Sequence, residues 1–258
     1  MSINFIKFSV AKQVLEQLGA CVTPVETSQK NESDWLVEFG DFRLLVEEKT
    51  KLEDVESYAA RVATLATGEV HGSTLPLSSN NRISGIVRKA AKQLDSTGRD
   101  MAHDCRIVWF TGTGFDAEAT HFQFMATLYG STKIFELDRP QMKGCYFFRN
   151  ADFFRFKAQL DGAVAAYVRG NELTLKLCLN PYSSNWRQLR DSPFARKFKL
   201  GLIDPVAEEA AGQAYIADAD IPRSDAGAVI RYLEKKYGLE RAQNIDMNLA
   251  SAVVAMTR

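Results

Sequence analysis

The sequence predicts an α/β fold: a mixed sheet flanked by helices, with an α+β extension at the C-terminal end. Three observations predict it. Asp34 to Lys49, reading D-W-L-V-E-F-G-D-F-R-L-L-V-E-E-K, has two apolar-rich runs around Gly40-Asp41, the mark of a two-residue β-hairpin. Amphipathic helical segments follow at 52–65 and 83–94. Cys105 to Thr111 then gives the continuous apolar run of a strand covered on both faces. Strands and helices alternating in this way build a layered α/β domain.

Composition sets the outer bounds. The chain has 258 residues, enough for one large domain or two small ones with a full core. Hydrophobic residues make up 46% and charged residues 25%, as in ordinary globular proteins. Lys plus Arg and Asp plus Glu are equal at 32 each, so a nucleic-acid partner would have to be argued from a local basic patch. The cysteines at 21, 105, 145 and 178 form no C-x-x-C, which speaks against a zinc or disulfide framework and for a reducing compartment. No apolar run of about 20 residues and no signal-peptide pattern is visible, so the expectation is a cytoplasmic protein with no membrane association.

In chain order, Ser9 caps a predicted helix from Val10 to Leu18 with a stripe of Val10, Val14, Leu15 and Leu18. Residues 24–33 are polar and rich in turn formers. In the hairpin, Gly40 takes the positive φ of a type II′ turn and fixes the register. Phe39 then faces Phe42, Val37 faces Leu44 and Trp35 faces Val46 on one apolar side. The other side carries Glu32, Asp34, Leu36 and Glu38 opposite Lys49, Glu47, Leu45 and Arg43. The following helix, 52–65, places Leu52, Val55, Ala59 and Val62 toward the core. Residues 68–81 read as a loop bordering the site. The helix Ile83 to Leu94 buries Ile83, Ile86, Val87, Ala90 and Leu94, and carries Arg88, Lys89, Lys92 and Gln93 elsewhere. After the strand at 105–111, Gly112-Thr-Gly114 breaks the chain. A helix from Asp116 to Tyr129 and a strand from Lys133 to Leu137 follow.

Beyond about residue 140 the character changes, giving an expected core of 1–139 and a C-terminal region of 140–258, with no linker evident between them. Gly170-Asn171 turns a second hairpin, pairing Arg169 with Glu172 and Val168 with Leu173. The segment 187–199 interleaves Arg187, Arg190, Arg196 and Lys197 with Trp186, Phe194 and Phe198. That composition fits either a nucleic-acid surface or aromatics packed on the core beneath solvated charges. Helices are expected at Asp225–Tyr237 and Ile245–Met256, the second rich in small apolar residues suited to internal packing or to a homodimer contact.

The chemistry concentrates in the first hairpin. Its register sets Asp34 directly across from Glu47, and two carboxylates at cross-strand distance repel unless a cation lies between them. Magnesium is held by one or two carboxylates together with waters and substrate phosphates. Lys49, two residues along the same strand face, can orient a water or stabilise phosphate charge. The bland alternative is a wet face of ordinary ion pairs, Glu38 with Arg43 and Glu32 with Lys49.

This arrangement resembles the PD-(D/E)XK nuclease superfamily, the restriction-endonuclease-like fold, in which an Asp on one strand precedes Glu-x-Lys on the next. The matching residues are Asp34 and Glu47-Glu48-Lys49. Ser33 stands where the superfamily often has Pro, and Glu48 occupies a usually apolar position. The resemblance spans roughly residues 1–137. It implies hydrolysis of phosphodiester bonds in DNA, or else in RNA, with Mg²⁺ or Mn²⁺ held by Asp34 and Glu47, and Lys49 acting on the nucleophile. Glu16, on the first helix, is the candidate for a further ligand, although helical periodicity sets it opposite the buried stripe. Arg88, Lys89, Lys92 and Gln93, with Arg187, Arg190, Arg196 and Lys197, are the candidates for backbone contact. A nuclease-type fold kept for binding alone, and a complex-forming protein, are the two alternatives from other classes.

Overall fold

The computed structural model describes residues 9–25 and 33–255. Helix α1 (Val10–Gln17) begins where expected, the Ser9 hydroxyl accepting the Lys12 N–H at 2.9 Å. Strand β1 (Cys21–Pro24) runs antiparallel to β2 (Trp35–Phe39), which turns at Gly40 (φ 63°) into β3 (Phe42–Lys51). The pairing is the one the Gly-Asp turn dictates: Trp35 opposite Val46, Val37 opposite Leu44, Phe39 opposite Phe42. Next come α2 (Val55–Ala66), β4 (His71–Pro76), α3 (Asn81–Asp100), β5 (Cys105–Gly112) and α4 (Ala117–Tyr129). A second group follows: β6 (Thr132–Glu136), β7 (Gln141–Tyr146), α5 (Asp152–Arg155), β8 (Gly162–Arg169) and β9 (Glu172–Leu179). The chain closes through α6 (Trp186–Arg190), a 3-10 turn at Ala195–Phe198, β10 (Leu202–Ile203), α7 (Pro205–Ala210), β11 (Ala214–Ile216), α8 (Ala226–Tyr237), β12 (Ala242–Ile245) and β13 (Asn248–Val253).

These elements form a mixed α/β architecture around a seven-stranded sheet of order β1-β2-β3-β5-β8-β9-β10. Its centre, β3-β5-β8, is parallel and its hairpins are antiparallel. Side-chain alternation splits the core in two. Leu45, Val108, Phe110, Ala163 and Ala165 face α3 and α4, meeting Ile83, Val87, Leu94, Phe124 and Leu128. Leu44, Val46, Ile107, Trp109 and Val164 face α1 and the segment from Leu189 to Phe198. A second sheet, β11-β7-β6-β12, packs against α8 through Ile134, Phe148, Tyr215, Val229 and Leu233. Among the described residues no helix is long and apolar enough to cross a membrane.

Several expectations are corrected by this arrangement. The strand at 132–136 forms, but it joins the second sheet, and the position beside β5 is taken by β8. The main sheet therefore runs through both 1–139 and 140–258, and residue 140 falls inside the β6–β7 hairpin. The expected loop at 68–81 contains β4, and the expected helix at 245–256 is β13, its partner. Asn248-Leu-Ala-Ser-Ala-Val is composed of residues that a helix accepts. Its burial nevertheless alternates with period two, because ladder hydrogen bonds to a strand far away in sequence decide the outcome. Helix α2 forms, yet none of its residues is buried: Val55 is 83% exposed and Val62 45%, with Leu52 just before it at 52%. Its apolar spacing is helical, but among the described residues the stripe is left largely exposed.

The chain is tightly locked where α4 ends. Gly130 caps the helix at φ 56°, and a Cβ there would stand 2.2 Å from the Arg149 carbonyl oxygen. Gly40 has a similar φ with nothing within 4 Å. Chemical denaturation is expected to show Gly130→Ala losing at least about 3 kcal/mol, from backbone strain plus overlap. Gly40→Ala should lose only about 1–2 kcal/mol, from the backbone alone. Equal losses would contradict this packing.

Candidate active site

Glu47 lies on β3 with its alternation pointing toward the α3–α4 layer, and its side chain has no exposed surface. One carboxylate oxygen takes the Lys49 ammonium, from two residues along the same strand face. The other, Oε2, is buried with no hydrogen bond of good geometry, although the Asp34 main-chain N–H and carboxyl both lie close enough to act on the Glu47 carboxyl. Asp34, directly before β2, completes the pair that the hairpin register brings together. Its Oδ2 accepts the Glu48 N–H at 2.7 Å. Both carboxyls are held above their ordinary values, chiefly by burial. For Glu47 the Asp34 charge adds to the effect and Lys49 opposes it, leaving a value of about 7. A buried carboxylate oxygen without a hydrogen bond of good geometry is an unfavourable arrangement on its own.

The two departures from the superfamily pattern both have structural work. The Ser33 N–H donates to Thr97 Oγ1 of α3 at 2.7 Å, a bond that Pro could not make. Glu48 points to the opposite face from Glu47. It accepts the Ser9 hydroxyl, the Ala11 N–H at 3.0 Å and the Trp35 indole N–H at 3.2 Å. A carboxylate at the positive end of α1 is favourable, and here it ties that helix to the site strand. The neighbours of Asp34 and Glu47 are thus held from both faces of the sheet. Sequence reasoning misses Thr97, although a signal exists: it continues the spacing of Ile83, Val87, Ala90 and Leu94 as a polar residue at a core position.

Among the basic and amide candidates on α3, helical geometry of about 100° per residue sorts two directions. Gln93 and Lys89 stand one and two turns before Thr97, on the flank toward the hairpin. Lys92 is exposed, opposite the buried stripe. Arg88 lies on the other flank, near Asp152, which accepts the Ser84 hydroxyl at 3.0 Å. The C-terminal basic segment is elsewhere altogether. Leu189, Phe194 and Phe198 pack into the core on the α1 side of the sheet, Phe194 lying 5.6 Å from Phe39 beside the hairpin turn. Arg187 and Arg190 lie over the Trp186 ring, Arg190 also pairs with Asp204 at 2.8 Å, and Arg196 and Lys197 are exposed. These four are therefore on the opposite face from Glu47 and toward the opposite end of the hairpin.

Glu16 is likewise not brought to the pair. It is exposed on α1, across the sheet from Glu47, and makes an i,i+4 contact of 3.8 Å with Lys12. Glu32 lies outside the described residues, and Lys49 pairs with Glu47. Glu38 and Arg43 form the expected cross-strand pair at 3.0 Å. His121 is buried against Phe122 and Tyr167, where burial pushes its value down to about 4, and the His103 ring contacts the Met101 carbonyl. Among the described residues no group of three or more His, Cys, Asp or Glu side chains is arranged to hold a metal ion. Asp34 and Glu47 are a two-carboxylate pair, which suits a cation that draws its other ligands from water and phosphate.

Burying Glu47 gives a testable pH dependence. A carboxyl whose folded value rises from 4.5 to about 7 binds its proton more tightly in the folded state. Stability is then fullest below pH 4.5 and declines as pH rises to 7. Glu47→Gln removes that decline. Thermal melts should find the variant more stable than wild type by up to about 3 kcal/mol at about pH 8, and little different at about pH 5. A variant less stable than wild type at every pH would make the Glu47–Lys49 pair a structural brace.

No protein-family model, no curated protein and no solved structure matches the chain.

Proposed function

We propose that this protein is a Mg²⁺- or Mn²⁺-dependent nuclease of the PD-(D/E)XK, restriction-endonuclease-like type, hydrolysing phosphodiester bonds in DNA. The observation that carries the reading is the fully buried Oε2 of Glu47, without a hydrogen bond of good geometry, set beside Asp34 with Lys49 on the same strand face. A hairpin followed by a parallel strand under two helices supports the same assignment. Asp34 and Glu47 would hold the ion. When bound, it supplies Lewis-acid polarisation of the scissile phosphate and a more acidic water.

The chain's own residues do the rest. Lys49 donates to the attacking water and to developing charge on the phosphate, a role suited to a half-buried ammonium fixed on a strand. Glu47 would act in its ionised form, the form that a divalent cation requires of a ligand. Gln93 and Lys89 flank the approach from α3 and contact the nucleic-acid backbone, Lys89 through charge and Gln93 through its amide. Glu48 and Thr97 touch no substrate; they keep Asp34 and the Glu47 strand in register.

One observation favours a second reading, a fold of this type that binds nucleic acid without cutting it: no third acidic or histidine side chain joins Asp34 and Glu47 among the described residues. Cleavage of linear, circular and single-stranded DNA with Mg²⁺ or Mn²⁺ separates the two. The nuclease reading predicts metal-dependent cutting that Lys49→Ala lowers by about 10²–10⁴-fold. Retained DNA binding with no cutting in any metal, or equal cutting by wild type and Lys49→Ala, would overturn it.

A further inference from the structure

A cavity of about 320 Å³ opens on the other side of α4, between that helix and the second sheet. It is separate from the Asp34–Glu47 pair, and its chemistry does not rest on the nuclease reading. Phe122, Met125 and Tyr129 of α4 form one wall, and Ile245 and Met247 form the other. The size falls in the range of small-molecule sites, which are concave and mostly apolar with a few placed polar groups.

The aromatic wall presents ring surface. The Tyr129 hydroxyl is already committed to the Leu179 carbonyl at 2.9 Å, so only its apolar part faces the space. Two methionines can adapt to an apolar ligand of variable shape. The charged groups at the cavity are unequal. Arg149 is paired with Asp246 at 2.6 Å. Lys133, by contrast, has no acidic partner among the described residues, and its ammonium lies over Gly144, 4.0 Å from where a Cβ would stand. One unpaired cation at the edge of an apolar hollow is complementary to a ligand with one anionic end.

We propose that this cavity binds an amphipathic monoanion, a carboxylate on an aliphatic body, with its head on Lys133 and its body against Phe122, Met125, Tyr129 and Met247. The linker 246–247 joins β12 to β13, so an occupant also braces the β4–β13 ribbon against the second sheet.

Octanoate and octanol are the probes, with binding measured by calorimetry and by thermal shift on the full chain. Octanoate is expected to bind wild type and raise its melting temperature, with octanol about tenfold weaker. Lys133→Met should bring octanoate down to the level of octanol. Met247→Trp, at a position already 39% exposed, should fill the hollow and weaken both without unfolding the protein. No octanoate binding to wild type would overturn the proposal. So would octanoate affinity that neither Lys133→Met nor Met247→Trp changes.

Discussion

A carboxylate buried without a full set of partners is the constraint on which the rest of the site depends. Glu47 sits under α3 and α4 with one oxygen on Lys49 and the other without a hydrogen bond of good geometry. Burial favours its neutral form, Lys49 favours its charged form, and the balance falls near neutrality. Such a group would be replaced at little loss by Gln or Leu if folding were its only task. Its second oxygen, beside Asp34, is what makes the pair a candidate for cation chemistry.

The scaffold holds this pair by short, local devices. The Gly40 turn sets the register that places Asp34 across from Glu47. Glu48, alternating to the other face, binds the start of α1, while Thr97 of α3 holds the Ser33 N–H. The main sheet then covers both faces of β3, so that parity puts Glu47 and Lys49 on one face and Glu48 on the other. A one-residue slip would exchange the faces of Glu47 and Glu48 and abolish the site.

The dependence on local devices explains which parts of the fold are legible in the sequence. Gly-Asp between alternating apolar runs is a local signal, so the hairpin pairing can be read residue by residue. The same holds for Gly170-Asn171 and for α8; α3 is legible as a helix, but it runs six residues past the predicted end at Leu94, to Asp100. Long-range choices are not legible. Ala250, Ser251 and Ala252 accept helix or strand, and only β4, more than half the chain away, makes them a strand. Lys133 to Glu136 has the composition of a strand and is one, but which sheet it joins depends on β7 and β12. Charge on the hairpin's second face suggests a wet surface. Leu36 and Leu45 are the hint that α3 covers it, and that cover is what buries Glu47. The aromatics of 186–198 fit two surfaces by composition; Phe194 and Phe198 pack on the core, on the sheet face opposite the carboxylates.

The central claim is that Glu47 and Asp34 form a cation site whose proton must leave when the ion arrives. The direct measurement is Mn²⁺ calorimetry just below neutral pH in two buffers of different ionisation enthalpy, comparing wild type with Glu47→Gln. The account predicts saturable binding to wild type with release of on the order of one proton per ion, both lost in the variant. Absence of Mn²⁺ binding, or equal binding to both proteins without proton release, would contradict it.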